Sequence, residues 1–144
     1  MDNISTPPPQ SSLFSKRMTI VAALYIAFLV TLIVLADKGI LRVWLLKLQT
    51  FPYFDKIGHF LLLGTASLFV NLALRCRQFK IGSRPFLLGS AIVAVLITLE
   101  ECSQIFFVFR GFEWSDMFSN WLGIFVFGQI ALRLSPPPQQ EESA

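Results

Sequence analysis

Charge is scarce in this sequence. Only 15% of its 144 residues are Asp, Glu, Lys or Arg, and 54% are hydrophobic; an ordinary soluble domain carries about 25% charged residues. Cysteine is nearly missing too. Cys76 and Cys102 belong to no CxxC or other metal spacing, and they fall at opposite ends of the helices expected there, so both read as free thiols. Histidine occurs once, at position 59. A glycine-rich phosphate loop is lacking, which argues against a nucleotide substrate. Ser103, Ser115 and Ser119 have no base or orienting acid in the pattern of a serine nucleophile. The net charge of +3 and pI near 9.1 would suit a nucleic-acid partner. However, the basic residues form no face interleaved with aromatics, so no nucleic acid is expected. Internal repeats and coiled-coil heptads are absent as well.

What the chain has in quantity is long apolar runs, and these set the class. The mean hydropathy is +0.63, and several runs approach the length needed to cross a bilayer, about 20 residues. The length allows one domain. Residues 1–15 are polar and proline-rich and read as a disordered tail, as do residues 135–144 with Pro136-Pro137-Pro138. Between them, residues 16–134 form the transmembrane domain. Lys16-Arg17 precede a first uncharged run, residues 18–36. Its end, Val34-Leu35-Ala36, has the small residues of a cleavage site, but the run exceeds the 7–15 residues of a signal-peptide core and reads as a retained anchor.

Residues 37–56 place Ile40, Leu41, Trp44, Leu45 and Leu48 opposite Lys38, Arg42 and Gln49, the pattern of a short helix lying in the membrane interface. Phe51-Pro52-Tyr53 breaks it. Further crossings are expected over residues 57–74, 86–109 and 115–132, with Gly58, Gly64, Ala66 and Ser67 permitting close packing on the second. Arg75, Arg77, Lys80 and Arg84 fall in the loop after that helix, and Arg110-Gly111-Phe112-Glu113-Trp114 makes the last hairpin. The fold class expected is an all-α membrane protein, a bundle of four transmembrane helices with an interfacial helix between the first two. Most of the fifteen phenylalanines fall in the apolar runs, as lipid-facing and packing surface.

Placing both termini in the cytoplasm puts seven basic residues inside (Lys16, Arg17, Arg75, Arg77, Lys80, Arg84, Arg133) and five outside (Lys38, Arg42, Lys47, Lys56, Arg110). Polar residues then converge on the outer face. Asp55 and His59 are four apart, Glu101 and Gln104 three apart, Asp116 and Asn120 four apart, so each pair shares one helix face. Charges at membrane depth need partners or a purpose. His59 is the candidate general acid or base, with Glu101 orienting it and Asp116 the third catalytic candidate. Asp55, Lys56, Gln104, Arg110 and Asn120 are the candidate ligand contacts, with Arg110 as the anion contact and Lys56 snorkelling to the interface. Glu100 points roughly 100° from Glu101, toward the pocket edge or another helix. A hard divalent ion on His59, Glu101, Asp55 and Asp116 is a weaker option, since no spacing is diagnostic; neither metal nor cofactor is expected.

The ordered set Asp55-Lys56-x-x-His59-Phe60, Glu101-x-x-Gln104-x-Phe106, Arg110, Asp116, Asn120 and Gly123 resembles the VanZ-like family of small bacterial membrane proteins. The resemblance spans residues 55–128, and its strength lies in the order rather than in any single motif. It implies a four-helix protein of the bacterial cytoplasmic membrane and a link to glycopeptide (teicoplanin) resistance. On this reading an outer-leaflet pocket binds a lipid headgroup or a cell-wall-related ligand. Two alternatives stand beside it: an enzyme doing acid–base chemistry on a lipid-linked phosphate or glycan, and a scaffold whose polar cluster only ties helices together.

Overall fold

The computed structural model describes residues 10–48, 53–107 and 112–135. Its elements are α1 (Gln10–Asp37), α2 (Arg42–Leu48), α3 (Phe54–Ala73), β1 (Gln78–Ile81), β2 (Arg84–Leu87), α4 (Leu88–Ser103) and α5 (Trp114–Leu134), with a 3-10 turn (Gln104–Phe106) extending α4. Four helical stretches are long and apolar enough to cross a membrane: Leu13–Asp37, Phe54–Ala73, Leu88–Phe106 and Trp114–Leu134.

Local chemistry explains several of the boundaries. Helix α1 takes in residues 10–15, which the sequence pattern assigns to the tail; Ser15 Oγ donates to the Ala73 carbonyl of α3. It ends at Gly39, whose φ of 72° lets Ile40 N bond Leu35 O and Gly39 N bond Ala36 O, the paired closure of a Schellman motif. This closure puts Ile40 and Leu41 in a turn, so α2 is only seven residues long, with Val43, Trp44 and Leu46 exposed. Gln49, Phe51 and Pro52 lie outside the described residues. The same closure recurs at the end of α3 without a glycine: Cys76 N bonds Asn71 O and Arg75 N bonds Leu72 O, with Arg75 at φ 54°.

Residues 78–85 are not the loop expected from the sequence, and residues 86–87, expected to open the third crossing, are strand, so α4 starts at Leu88. Together these residues form an antiparallel hairpin turning at Gly82-Ser83, with Ile81 opposite Arg84 and Gln78 opposite Leu87. Gly82 has φ 60°, the demand of a primed two-residue turn.

Helix α3 is central, packing against α1, α4 and α5. Contacts with α5 advance in the same direction along both chains, from Lys56–Asp116 to Ser67–Ile124, so the two helices run parallel. α1 and α4 run the other way: Ser15 meets Ala73 and Tyr25 meets Leu62 of α3, while Ser90 lies by Gly128 and Thr98 by Trp121 of α5. The α3–α5 seam is close: a Cβ on Gly123 would strike the Phe60 carbonyl, and one on Gly64 would meet the Phe127 ring. A Cβ on Gly58, expected to share that role, would find nothing within 4 Å, so this glycine takes no part.

Burial is inverted relative to a soluble protein. The largest fully buried side chains are Glu101, Asn71, Asn120 and Ser67, while Ile20, Leu24, Val95, Leu99, Leu122 and Phe125 are exposed. A surface this apolar around a polar interior fits lipid rather than water.

Candidate functional site

Helices α3 and α5, being parallel, begin at the same end of the molecule. Asp55 lies in the first turn of α3 and Asp116 in that of α5, with Glu113 at the N-cap position. Free N–H groups at a helix start favour carboxylates there. Into these three acids reaches Lys56. Its Nζ is 2.6 Å from Asp55 Oδ2, 2.9 Å from Glu113 Oε2 and 2.7 Å from Asp116 Oδ1. The lysine does not snorkel outward as expected from the sequence; two helices supply it with acids, and its side chain is 23% exposed. The ammonium holds the Glu113 carboxyl below its ordinary value, helped by the Ser115 hydroxyl, which donates to Glu113 Oε2.

One turn further in, His59 Nδ1 is 3.1 Å from Asn120 Oδ1 and His59 Nε2 is 3.7 Å from Asp116 Oδ2. With Nδ1–H donating to Asn120, a ring also protonated at Nε2 would face the carboxylate as an ion pair; the tautomer is inferred from this network. The orienting groups of His59 are therefore Asn120 and Asp116, where Glu101 was expected. Asn120 Nδ2 is buried with no hydrogen-bond partner among the described residues.

The acids of α4 are braced separately. Gln104 Nε2 donates to Glu101 Oε2 at 3.1 Å and to both Glu100 oxygens at 3.1–3.2 Å. Glu101 is fully buried and Gln104 nearly so. The Trp121–Thr98 hydrogen bond fixes the height: by antiparallel counting, Glu101 lies level with Phe118, within the same end of the helices as Asn120. The residues predicted from sequence are thus gathered at one end in two hydrogen-bonded groups, one on α3 and α5 and one on α4. Arg110 lies outside the described residues.

Two features go beyond the sequence-based expectations. Glu113 reads in the sequence only as part of a hairpin, although an acid three residues before Asp116 at a helix start is a usable signal. The other is a buried knot where the C-terminal part of α3 meets the first turn of α4. Asn71 Nδ2 donates to Ser67 O and Ser90 Oγ, the Ser90 amide returns to Asn71 Oδ1, and Ser67 Oγ donates to Ile124 O. It ties α3, α4 and α5 with every group paired, a structural role.

A divalent ion finds its place already taken. Carboxylate oxygens of Asp55, Glu113 and Asp116 lie within 4.8 Å of one another, but the Lys56 ammonium sits among them. No protein-family model, curated protein or solved structure matches this chain.

Proposed function

We propose that this chain is a VanZ-like multi-pass protein of the bacterial cytoplasmic membrane, with both termini cytoplasmic. In this reading α2 lies in the outer interface with Trp44 at headgroup level. The polar cluster at the start of α3 and α5 receives the polar headgroup of a lipid or of a lipid-linked cell-wall ligand, in keeping with the link to teicoplanin resistance that the motif order implies. The observation that carries the reading is Asn120 Nδ2. A buried donor without an acceptor costs about 1–3 kcal/mol, and a ligand oxygen beside His59 would relieve it. Three carboxylates around one ammonium favour a headgroup with a cationic amine over a bare phosphate. Arg110, the sequence candidate for an anion contact, would serve a phosphate on the same headgroup.

A second reading, acid–base chemistry on a lipid-linked phosphate or glycan, draws on the His59–Asp116 arrangement. Here His59 is the proton-transfer group, Asp116 steadies its charged form, and Asn120 fixes the ring. The scaffold reading draws on the Lys56 ion cluster alone.

One comparison separates them. Asn120→Leu and His59→Gln are made beside wild type, and each is assayed for melting temperature in detergent, for stabilisation by phosphatidylethanolamine, and for teicoplanin sensitivity of expressing cells. The binding reading expects Asn120→Leu to melt at or above wild type while the lipid-dependent stabilisation and the phenotype disappear. Loss of phenotype in His59→Gln with lipid stabilisation intact favours chemistry. Phenotype and lipid response intact in both variants would leave only the scaffold.

A further inference from the structure

The opposite end of the molecule holds a feature that the polar cluster does not use. β2, α4 and α5 border an open groove of about 660 Å³, reaching from Arg84 and Phe86 past Ala91 to Phe125 and Trp121. Most of its wall is apolar, with Arg84 and Gln78 contributed by the hairpin. Along α5 the groove runs from Leu132 to Trp121, a rise of ~16 Å. One leaflet of hydrocarbon is ~15 Å deep.

Among the described residues, the charge around this end is of one sign. No acidic residue occurs between Lys56 and Glu100. Arg75, Arg77, Lys80 and Arg84 are all exposed, and none forms an ion pair among the described residues. The Ser15–Ala73 hydrogen bond and the packing of Met18 and Ala131 in the cluster with Cys76 bring Lys16, Arg17 and Arg133 to the same end.

We propose that this groove is a binding site for an anionic glycerophospholipid, one acyl chain lying between α4 and α5 and the phosphate resting on Arg84 and its neighbours in the hairpin. The apolar length matches a chain running from headgroup level to the midplane, and the basic mouth stands where the headgroup would be. A second copy of the protein fits less well, because it would bring another uncompensated basic end against this one.

The test is a titration of delipidated protein with phosphatidylglycerol or phosphatidylcholine, read by native mass spectrometry from detergent. Wild type is expected to hold one phosphatidylglycerol at least fivefold more tightly than phosphatidylcholine, with the gap narrowing as salt rises. Arg84→Gln should lose about fivefold toward phosphatidylglycerol, the share of one basic residue at an anionic surface, and nothing toward phosphatidylcholine. Ala91→Phe, which fills the groove, should weaken both, and Lys47→Gln at the other end should change neither. Arg84 is exposed on the hairpin, so its variant remains informative even if Ala91→Phe fails to fold. Equal affinity for the two lipids, an undiminished preference in Arg84→Gln, or a dimer that Ala91→Phe dissolves would each overturn the proposal.

Discussion

Lys56 is the residue on which the polar end depends. Truncating it leaves three carboxylates gathered without their counter-ion, so Lys56→Met is expected to lower stability by about 2 kcal/mol, between the values for exposed and for buried pairs. Thermal unfolding in detergent measures this, and the double variant Lys56→Met/Asp116→Asn should recover part of the loss. Glu113 gives a pH signature. Its folded pKa is depressed below the ordinary 4.5 by Lys56, so its contribution is complete above that value and is lost as pH falls through the folded one. Glu113→Gln should flatten that acid limb of the melting curve, and by no more than about 0.5 kcal/mol because the side chain is more than half exposed. At this scale the sequence was informative within each helix and blind between helices. The four-residue spacing of Asp55–His59 and Asp116–Asn120 marked the faces that meet. Nothing in it said that Lys56 would turn inward, since two of its three acids, Glu113 and Asp116, arrive some sixty residues later in the chain.

Among the elements, the α3–α5 seam sets the tolerance for change. Gly123→Ala drives a methyl group into the Phe60 carbonyl, a rigid backbone atom, and should destabilise by about 1–3 kcal/mol or more. Gly58→Ala on the same pair of helices meets nothing and should be neutral or stabilising by up to about 1 kcal/mol; a paired melt of the two variants checks both. The four long helices were readable because apolar length alone demands them. The β-hairpin was harder to see, although Gly82-Ser83 between Phe79-Lys80-Ile81 and Arg84-Pro85-Phe86 carries the turn signal; Lys80 and Arg84, with Arg75 and Arg77 just before them, are as well explained by topology as by a strand pair. Helix α2 starts later than the apolar pattern from Ile40 suggests, because Gly39 reads as an ordinary glycine until its left-handed backbone is seen.

The molecule as a whole is divided by charge, and that division makes its orientation testable. In a background lacking Cys102, a cysteine at Ser83 should be labelled by a membrane-impermeant maleimide only from the cytoplasmic side, and one at Lys47 only from the outside. Cys76 can stay in place, since it is buried and burial pushes its thiol pKa up, which leaves little reactive thiolate. Labelling of both sites from one side would contradict the topology. The sequence showed four runs long and apolar enough to cross a membrane; it did not show that α3 and α5 are the intimate pair, because that choice rests on the shapes of Gly64 and Gly123 against particular partners.

The parallel pairing of α3 with α5 also imposes an order on biogenesis. These helices fit backbone to side chain, yet α4 must be threaded in the reverse direction before α5 can leave the ribosome. Throughout that interval Lys56 has only Asp55 beside it, while Glu113, Asp116 and Asn120, the other partners of Lys56 and His59, are still untranslated. A chain halted before α5 would therefore lack two of the three carboxylates around Lys56 and both side chains that orient His59.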